Sequence, residues 1–165
     1  MRWLEVLGIV PRGDAQALRL TDRDPWEVGQ TRDAAAFYRA LHHLATATSV
    51  LYMEGSTEEQ VPQFLETVPA EHRRQVAIGT VFPASDVYHI PATRENLTAL
   101  ADLIDRYGIA LPAIHTHLYD EQGITLEWHD AFTDSAMLVS SRVPEDQVRR
   151  FANAIGQPVT RTHAA

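Results

Sequence analysis

Residues 113–130 read AIHTHLYDEQGITLEWHD and gather His115, His117 and His129 into one short stretch, with Glu127 and Asp130 on either side of the third. Imidazoles this dense suggest two kinds of chemistry. Three rings could converge on one ion at about 2.1 Å each, with Glu127 as a fourth ligand or as an acceptor that orients a ring. Nitrogen and oxygen donors alone would suit Zn²⁺, Fe²⁺, Mn²⁺ or Ni²⁺. Without a metal, the same rings could serve as a general acid–base pair, because histidine titrates near neutral pH. Glu127 and Asp130 are then the candidate catalytic carboxylates. Glu127 would orient a ring, and Asp130 would stand in a loop where a substrate enters. His89, in VYHIP, joins the metal set if its strand lies beside this segment.

The elements that must position these residues can be read from the local pattern. Asp120-Glu121-Gln122-Gly123 has the composition of a turn with glycine at positive φ. A three-residue loop would pair Asp120 with Ile124, Leu118 with Leu126 and Thr116 with Trp128. On the opposite face it would set Tyr119 against Thr125, His117 against Glu127 and His115 against His129. Period-two alternation then sorts Ile114, Leu118, Leu126 and Trp128 to a core face, and His115, His117, Glu127 and His129 to the other. Directly opposed Cβ atoms lie about 5 Å apart, so the four polar groups share one patch.

His-x-His on a strand, with a third histidine from the next strand, resembles the metal floor of carbonic anhydrases and of cupins. HTHLYDE, residues 115–121, matches the cupin pattern of His-x-His followed by a glutamate. The resemblance covers this heptad alone. In the register above Glu121 lies in the turn, away from the other ligands, and cupins are double-sheet jelly rolls whereas this chain has clear helices. A plainer reading stands beside these: antiparallel sheets often keep one wet face, where His, Thr, Tyr and Glu are ordinary.

The rest of the chain alternates helices with hairpins. Asp33 can cap a helix with Phe37, Leu41 and Leu44 inward. SVLYM (49–53) reads as a strand. Val61, Phe64, Leu65 and Val68 mark a helix beginning near Gln60, since Pro62 belongs in a first turn. Segments 76–82 and 86–90 read as strands. Thr93 caps a helix with Leu97, Leu100, Ala101 and Ile104 inward, ended by Gly108. Segment 136–141 is a strand. Pro144 opens a helix with Val148, Phe151, Ala152 and Ile155 buried, ended by Gly156. Two more strands, Trp3–Val10 and Ala15–Leu20, precede a polar loop over 21–30. The expected fold is α+β: a mostly antiparallel or mixed sheet packed with three to four helices, in a single layer on one face. Residues 1–30 form an N-terminal arm or β-hairpin extension, 31–157 the globular domain, and 158–165 a frayed tail.

Composition narrows the function classes. The chain has no cysteine, so disulfides, thiolate ligands and cysteine nucleophiles are out. All 14 basic residues are arginine, which excludes Schiff-base and P-loop lysines; a GC-rich genome is the expected cause of the bias. There is no G-x-S-x-G elbow and no glycine-rich phosphate loop. A net charge of −8 disfavours nucleic acid, and no apolar run is long enough for a membrane span. The cytoplasm is the default compartment. Two classes of function remain. One is a metal- or histidine-dependent protein acting on a small molecule. The other is a non-catalytic acidic module that binds a protein partner, such as an immunity or regulatory protein. A homo-oligomer is compatible with either.

Overall fold

The computed structural model describes residues 17–56, 58–77, 79, 83 and 85–161. Its strands are β1 (Trp26–Val28), β2 (Val50–Glu54), β3 (Val87–Pro91), β4 (His115–Asp120), β5 (Gly123–Trp128), β6 (Met137–Val139) and β7 (Val159–Arg161). They form one sheet in the order β3-β2-β4-β5-β6-β1-β7, and every neighbouring pair is antiparallel. The helices are α1 (Ala34–Ala40, continued by a 3₁₀ turn over Leu41–His43), α2 (Gln60–Thr67), α3 (Arg94–Tyr107) and α4 (Glu145–Ala154). The fold is α+β, as the pattern predicts.

Two of the helices, α1 and α3, begin where a side chain satisfies one of the first free backbone N–H groups. Asp33 accepts from the Ala36 amide at 2.9 Å, and Thr93 from the Asn96 amide at 3.1 Å. Gly108 closes α3 at φ +63°, a left-handed conformation that favours glycine. The apolar stripes of all four helices pack against one sheet face. There Leu51, Met53, Leu118, Leu126 and Trp128 form a single core with Phe37 and Phe151. Phe37, Trp128 and Phe132 interlock with ring centroids 4.7–5.5 Å apart. The other face carries a smaller apolar cluster of Val50, Tyr52, Tyr119, Ile124, Val76 and Ala70, with Leu18 and Leu20 packed on it.

The structure departs from the sequence reading at several places. The segment read as a polar loop contains β1, which lies inside the sheet between β6 and β7. Three residues are too few to show alternation against polar flanks, yet Trp26 and Val28 are buried and Glu27 is exposed. Residues 26–28 are therefore part of the main sheet and not of an appended arm. The tail read as frayed holds β7, paired to β1 across Trp26–Arg161, Glu27–Thr160 and Val28–Val159. Arg161 also lays its guanidinium 4.3 Å from the Trp26 ring centre. Of the strand expected over 76–82, Val76 makes a single parallel bridge to Leu18, while residues 78 and 80–82 lie outside the described residues, as does Trp3–Val10.

The hairpin keeps its predicted register where it matters for the histidines. Thr116 faces Trp128, His117 faces Glu127 and Leu118 faces Leu126. Nearer the turn it shifts: Tyr119 faces Ile124 and Asp120 faces Gly123, leaving Thr125 as an extra residue in a β-bulge. The loop is thus two residues, Glu121-Gln122. Asp120 tightens it by accepting from the Gln122 amide at 2.8 Å, while Gly123 takes φ +128°. Arg142 buttresses the bulge. It donates to both Asp120 carboxylate oxygens at 2.9 and 3.1 Å and to Thr125 Oγ1 at 2.7 Å.

Candidate functional site

The polar face of the sheet is built from alternate residues of four strands. The β2–β4 register sets Glu54 against His115 and Tyr52 against His117, and the β4–β5 register sets Glu127 against His117. Beyond Trp128 the ladder ends and Asp130 turns the chain at φ +48°. His129 thereby comes to both strand histidines, with ring centroids 5.2 Å from His115 and 4.8 Å from His117. His115, His117, Glu127 and His129 are together, as their spacing predicts.

The backbone determines the tautomers of two rings. His117 Nδ1 accepts from the Trp128 amide at 3.2 Å, and His115 Nδ1 from the Asp130 amide at 3.1 Å. A peptide N–H can only donate, so each Nδ1 carries a lone pair and each neutral ring bears its proton on Nε2. His117 is fully buried and stacks on Tyr52 with centroids 5.3 Å apart. Burial, reinforced by the neighbouring His129, pushes its pKa down to about 3. Burial also lowers the pKa of His115, opposed by Glu54 and Asp130.

His129 behaves in the opposite way. Its side chain is 45% exposed, and its Nε2 lies 3.3 Å from Glu127 Oε1. The hydrogen bond with Glu127 raises its pKa and outweighs burial. For Glu127, burial alone would raise the pKa. The bond to His129, the Leu20 amide donated to Oε2 at 2.8 Å and the charge of His129 turn the shift downward. The two groups therefore favour the charged pair, His129⁺ with Glu127⁻. Nδ1 of His129 makes no hydrogen bond among the described residues.

Glu54 and Tyr52 belong to this site although the sequence reading passed over them. Glu54 is buried, and its Oε2 accepts from the Tyr52 hydroxyl at 2.7 Å and the Gly79 amide at 2.9 Å. The available signal was the alternation of SVLYME, which puts Tyr52 and Glu54 on one face and ends the strand on a carboxylate. Gly79 lies directly over His115: a Cβ there would come within 2.5 Å of three ring atoms. Asp130 contributes its amide to His115 and its charge to both His115 and His129.

His89 stands apart from the three. It faces Tyr52 across β3–β2, so Tyr52 separates it from His117 by two strand spacings, about 10 Å. Its Nδ1 is 2.9 Å from the Tyr119 hydroxyl, which also accepts from the Arg74 amide at 3.2 Å. Burial, then the Arg73 cation, lowers the His89 pKa to about 4. Its place in the predicted metal set is corrected by the strand order, which puts β2 between β3 and the hairpin.

Among the described residues no group of three or more His, Cys, Asp or Glu side chains is arranged to hold a metal ion. An Nε2–H nitrogen has no lone pair to donate, and both strand histidines are held in that form by the backbone. Comparison of the chain with protein-family models, curated proteins and solved structures returned no match.

Proposed function

We propose that the histidine face is an acid–base site acting on a small molecule, with His129 as the proton carrier and Glu127 as its orienting partner. The supporting observation is the contrast within the cluster. His129 is half-exposed, paired with a carboxylate and raised in pKa, while His115 and His117 are buried and lowered. Glu127 engages Nε2, which leaves Nδ1 as the nitrogen to exchange a proton. As a base, neutral His129 takes a proton at Nδ1, and Glu127 stabilises the imidazolium that forms. As an acid, it returns that proton. Of the three rings only His129 reaches solvent, so the site suits a proton transfer on a small molecule in the cytoplasm rather than a group transfer.

The test is a general-base probe that needs no knowledge of the natural substrate. Ring opening of a nitrobenzisoxazole should run faster than in matched buffer, follow the titration of His129, and fall to the buffer rate in His129→Ala. A rate unchanged in His129→Ala would refute the reading and return the chain to the non-catalytic class, an acidic module for a protein partner.

A shared divalent ion, Zn²⁺, Fe²⁺, Mn²⁺ or Ni²⁺, is the second reading. The observation in its favour is ring spacing: centroids 4.8 and 5.2 Å apart are close to what rings on one ion would show at about 2.1 Å per nitrogen. It requires His115 and His117 to turn lone pairs toward the ion and release the Asp130 and Trp128 amides. Elemental analysis of protein purified without chelators or nickel resin separates the two readings. About one equivalent of metal, lost in His129→Ala, would favour the ion.

A further inference from the structure

A second polar site lies at the other end of this sheet face and does not depend on the histidine reading. There a cleft of about 510 Å³ opens between residues 47–50, the 69–74 loop and the hairpin turn. Val50, Pro69, Ala70, Pro91 and Tyr119 give it apolar walls, and Arg73 and Arg74 both line it. Each guanidinium is tethered to backbone at one nitrogen. Arg73 Nε donates to the Ala70 carbonyl at 3.2 Å, and Arg74 Nη1 donates to the carbonyls of Asp120 and Glu121 at 3.2 and 3.0 Å. Among the described residues neither has a carboxylate within ion-pair distance, whereas Arg32, Arg39, Arg142, Arg149 and Arg150 each have one. Two arginines are thus held by backbone bonds, without a direct ion-pair partner, on one cleft wall.

The charge around the cleft limits what it can take. Asp120 is spent on Arg142, which grips both its oxygens. Glu71 and Glu121 also line the cleft, so its two cations stand against two carboxylates. A single added negative charge can be met by the forked N–H groups, while a phosphate dianion would feel about twice the repulsion from the two glutamates. The apolar walls call for a hydrocarbon body next to the charge. From this geometry we infer that the cleft between the 69–74 loop and the hairpin turn binds a small organic carboxylate with an apolar body, its carboxylate on Arg73 and Arg74.

The test is a titration of the ¹⁵N-labelled full chain with hexanoate, hexanamide and hexyl phosphate, following the Ala70, Arg74 and Tyr119 amides. Hexanoate should shift these amides saturably. Hexanamide, which has the same body without the charge, should not, and hexyl phosphate should bind more weakly. Arg73→Gln should weaken hexanoate about tenfold, the value of one lost charge-assisted hydrogen bond. Because Arg74 also ties down the turn, Arg73→Gln is the primary variant, and its undisturbed His129 signals report that the fold is intact. The inference is overturned if no shift appears up to about 20 mM, beyond the weakest useful small-ligand affinity. It is equally overturned if hexanamide matches hexanoate, if hexyl phosphate binds as well or better, or if Arg73→Gln binds hexanoate unchanged.

Discussion

His117→Asn tests whether a fully buried imidazole is kept neutral by its surroundings. In the unfolded chain this histidine titrates near 6.5; in the fold its pKa is about 3. As pH falls from 7 to 5 the unfolded chain gains a proton that folded His117 does not. A histidine lowered in this way therefore costs stability as pH falls through its unfolded pKa, and the loss continues until the folded group also titrates. Each pH unit well inside this window is worth about 1.4 kcal/mol, and integration from pH 7 to pH 5 gives about 2 kcal/mol. Asparagine places an amide oxygen near the position of Nδ1, so the Trp128 amide keeps an acceptor while the titration disappears. Urea unfolding of wild type and variant at both pH values gives the comparison. The variant loses stacking on Tyr52 and will be less stable at pH 7. What matters is the fall between pH 7 and pH 5, which should be about 2 kcal/mol smaller in the variant. His89 and His115 contribute acid sensitivity to both proteins and cancel. If the two proteins lose equal stability over this window, His117 is not held neutral and the tautomer argument fails.

Four further outcomes follow from the same contacts. Glu127→Gln should lower the pKa of His129, read from its Cε1 proton by NMR, because the charge that raises it is gone. A raised histidine stabilises the fold below its unfolded pKa and loses that effect as pH rises through its folded pKa, so the variant's penalty should be larger at pH 5 than at pH 8. Gly79→Ala should displace residue 79 from His115 and lengthen its bond to Glu54, seen as faster exchange of the residue 79 amide and a lower Tm. Arg142→Met should leave buried Asp120 without its partner and cost about 3 kcal/mol in chemical unfolding. Leu126→Ala, at a fully buried core position, should cost about 3–4 kcal/mol with no change in the His129 titration.

The hairpin was legible because a half-buried strand pair has only two faces. Once Leu118, Leu126 and Trp128 go inward, His117 and Glu127 must share the other face, and they do. The turn was less legible. A bulge at Thr125 and a two-residue loop conserve the same inner register as a three-residue loop, and Arg142, distant in sequence, helps to hold the bulged form. α3 was legible throughout, because Thr93, its apolar stripe and Gly108 are all local signals. β1 and β7 were not, since each is three residues long and is stabilised by partners far away. The same limit hid Glu54. A carboxylate at a strand end looks solvated until the Gly79 amide and the Tyr52 hydroxyl are seen to enclose it.

The insertion of β1 between β6 and β7 has a consequence for how the chain is made. Its partners lie more than a hundred positions further on, so a ribosome releases Trp26 and Val28 long before anything exists to pair with them. α1, α2, α3 and the β2–β4–β5 sheet can assemble from what has already emerged, while β1 waits as an unpaired edge-former with its tryptophan uncovered. Closure of the sheet is then a late event, and the loop it closes spans most of the protein. The short length of β1 and the exposed charge of Glu27 limit the hazard of that wait, because three residues with a carboxylate on the outer face make a poor template for another chain.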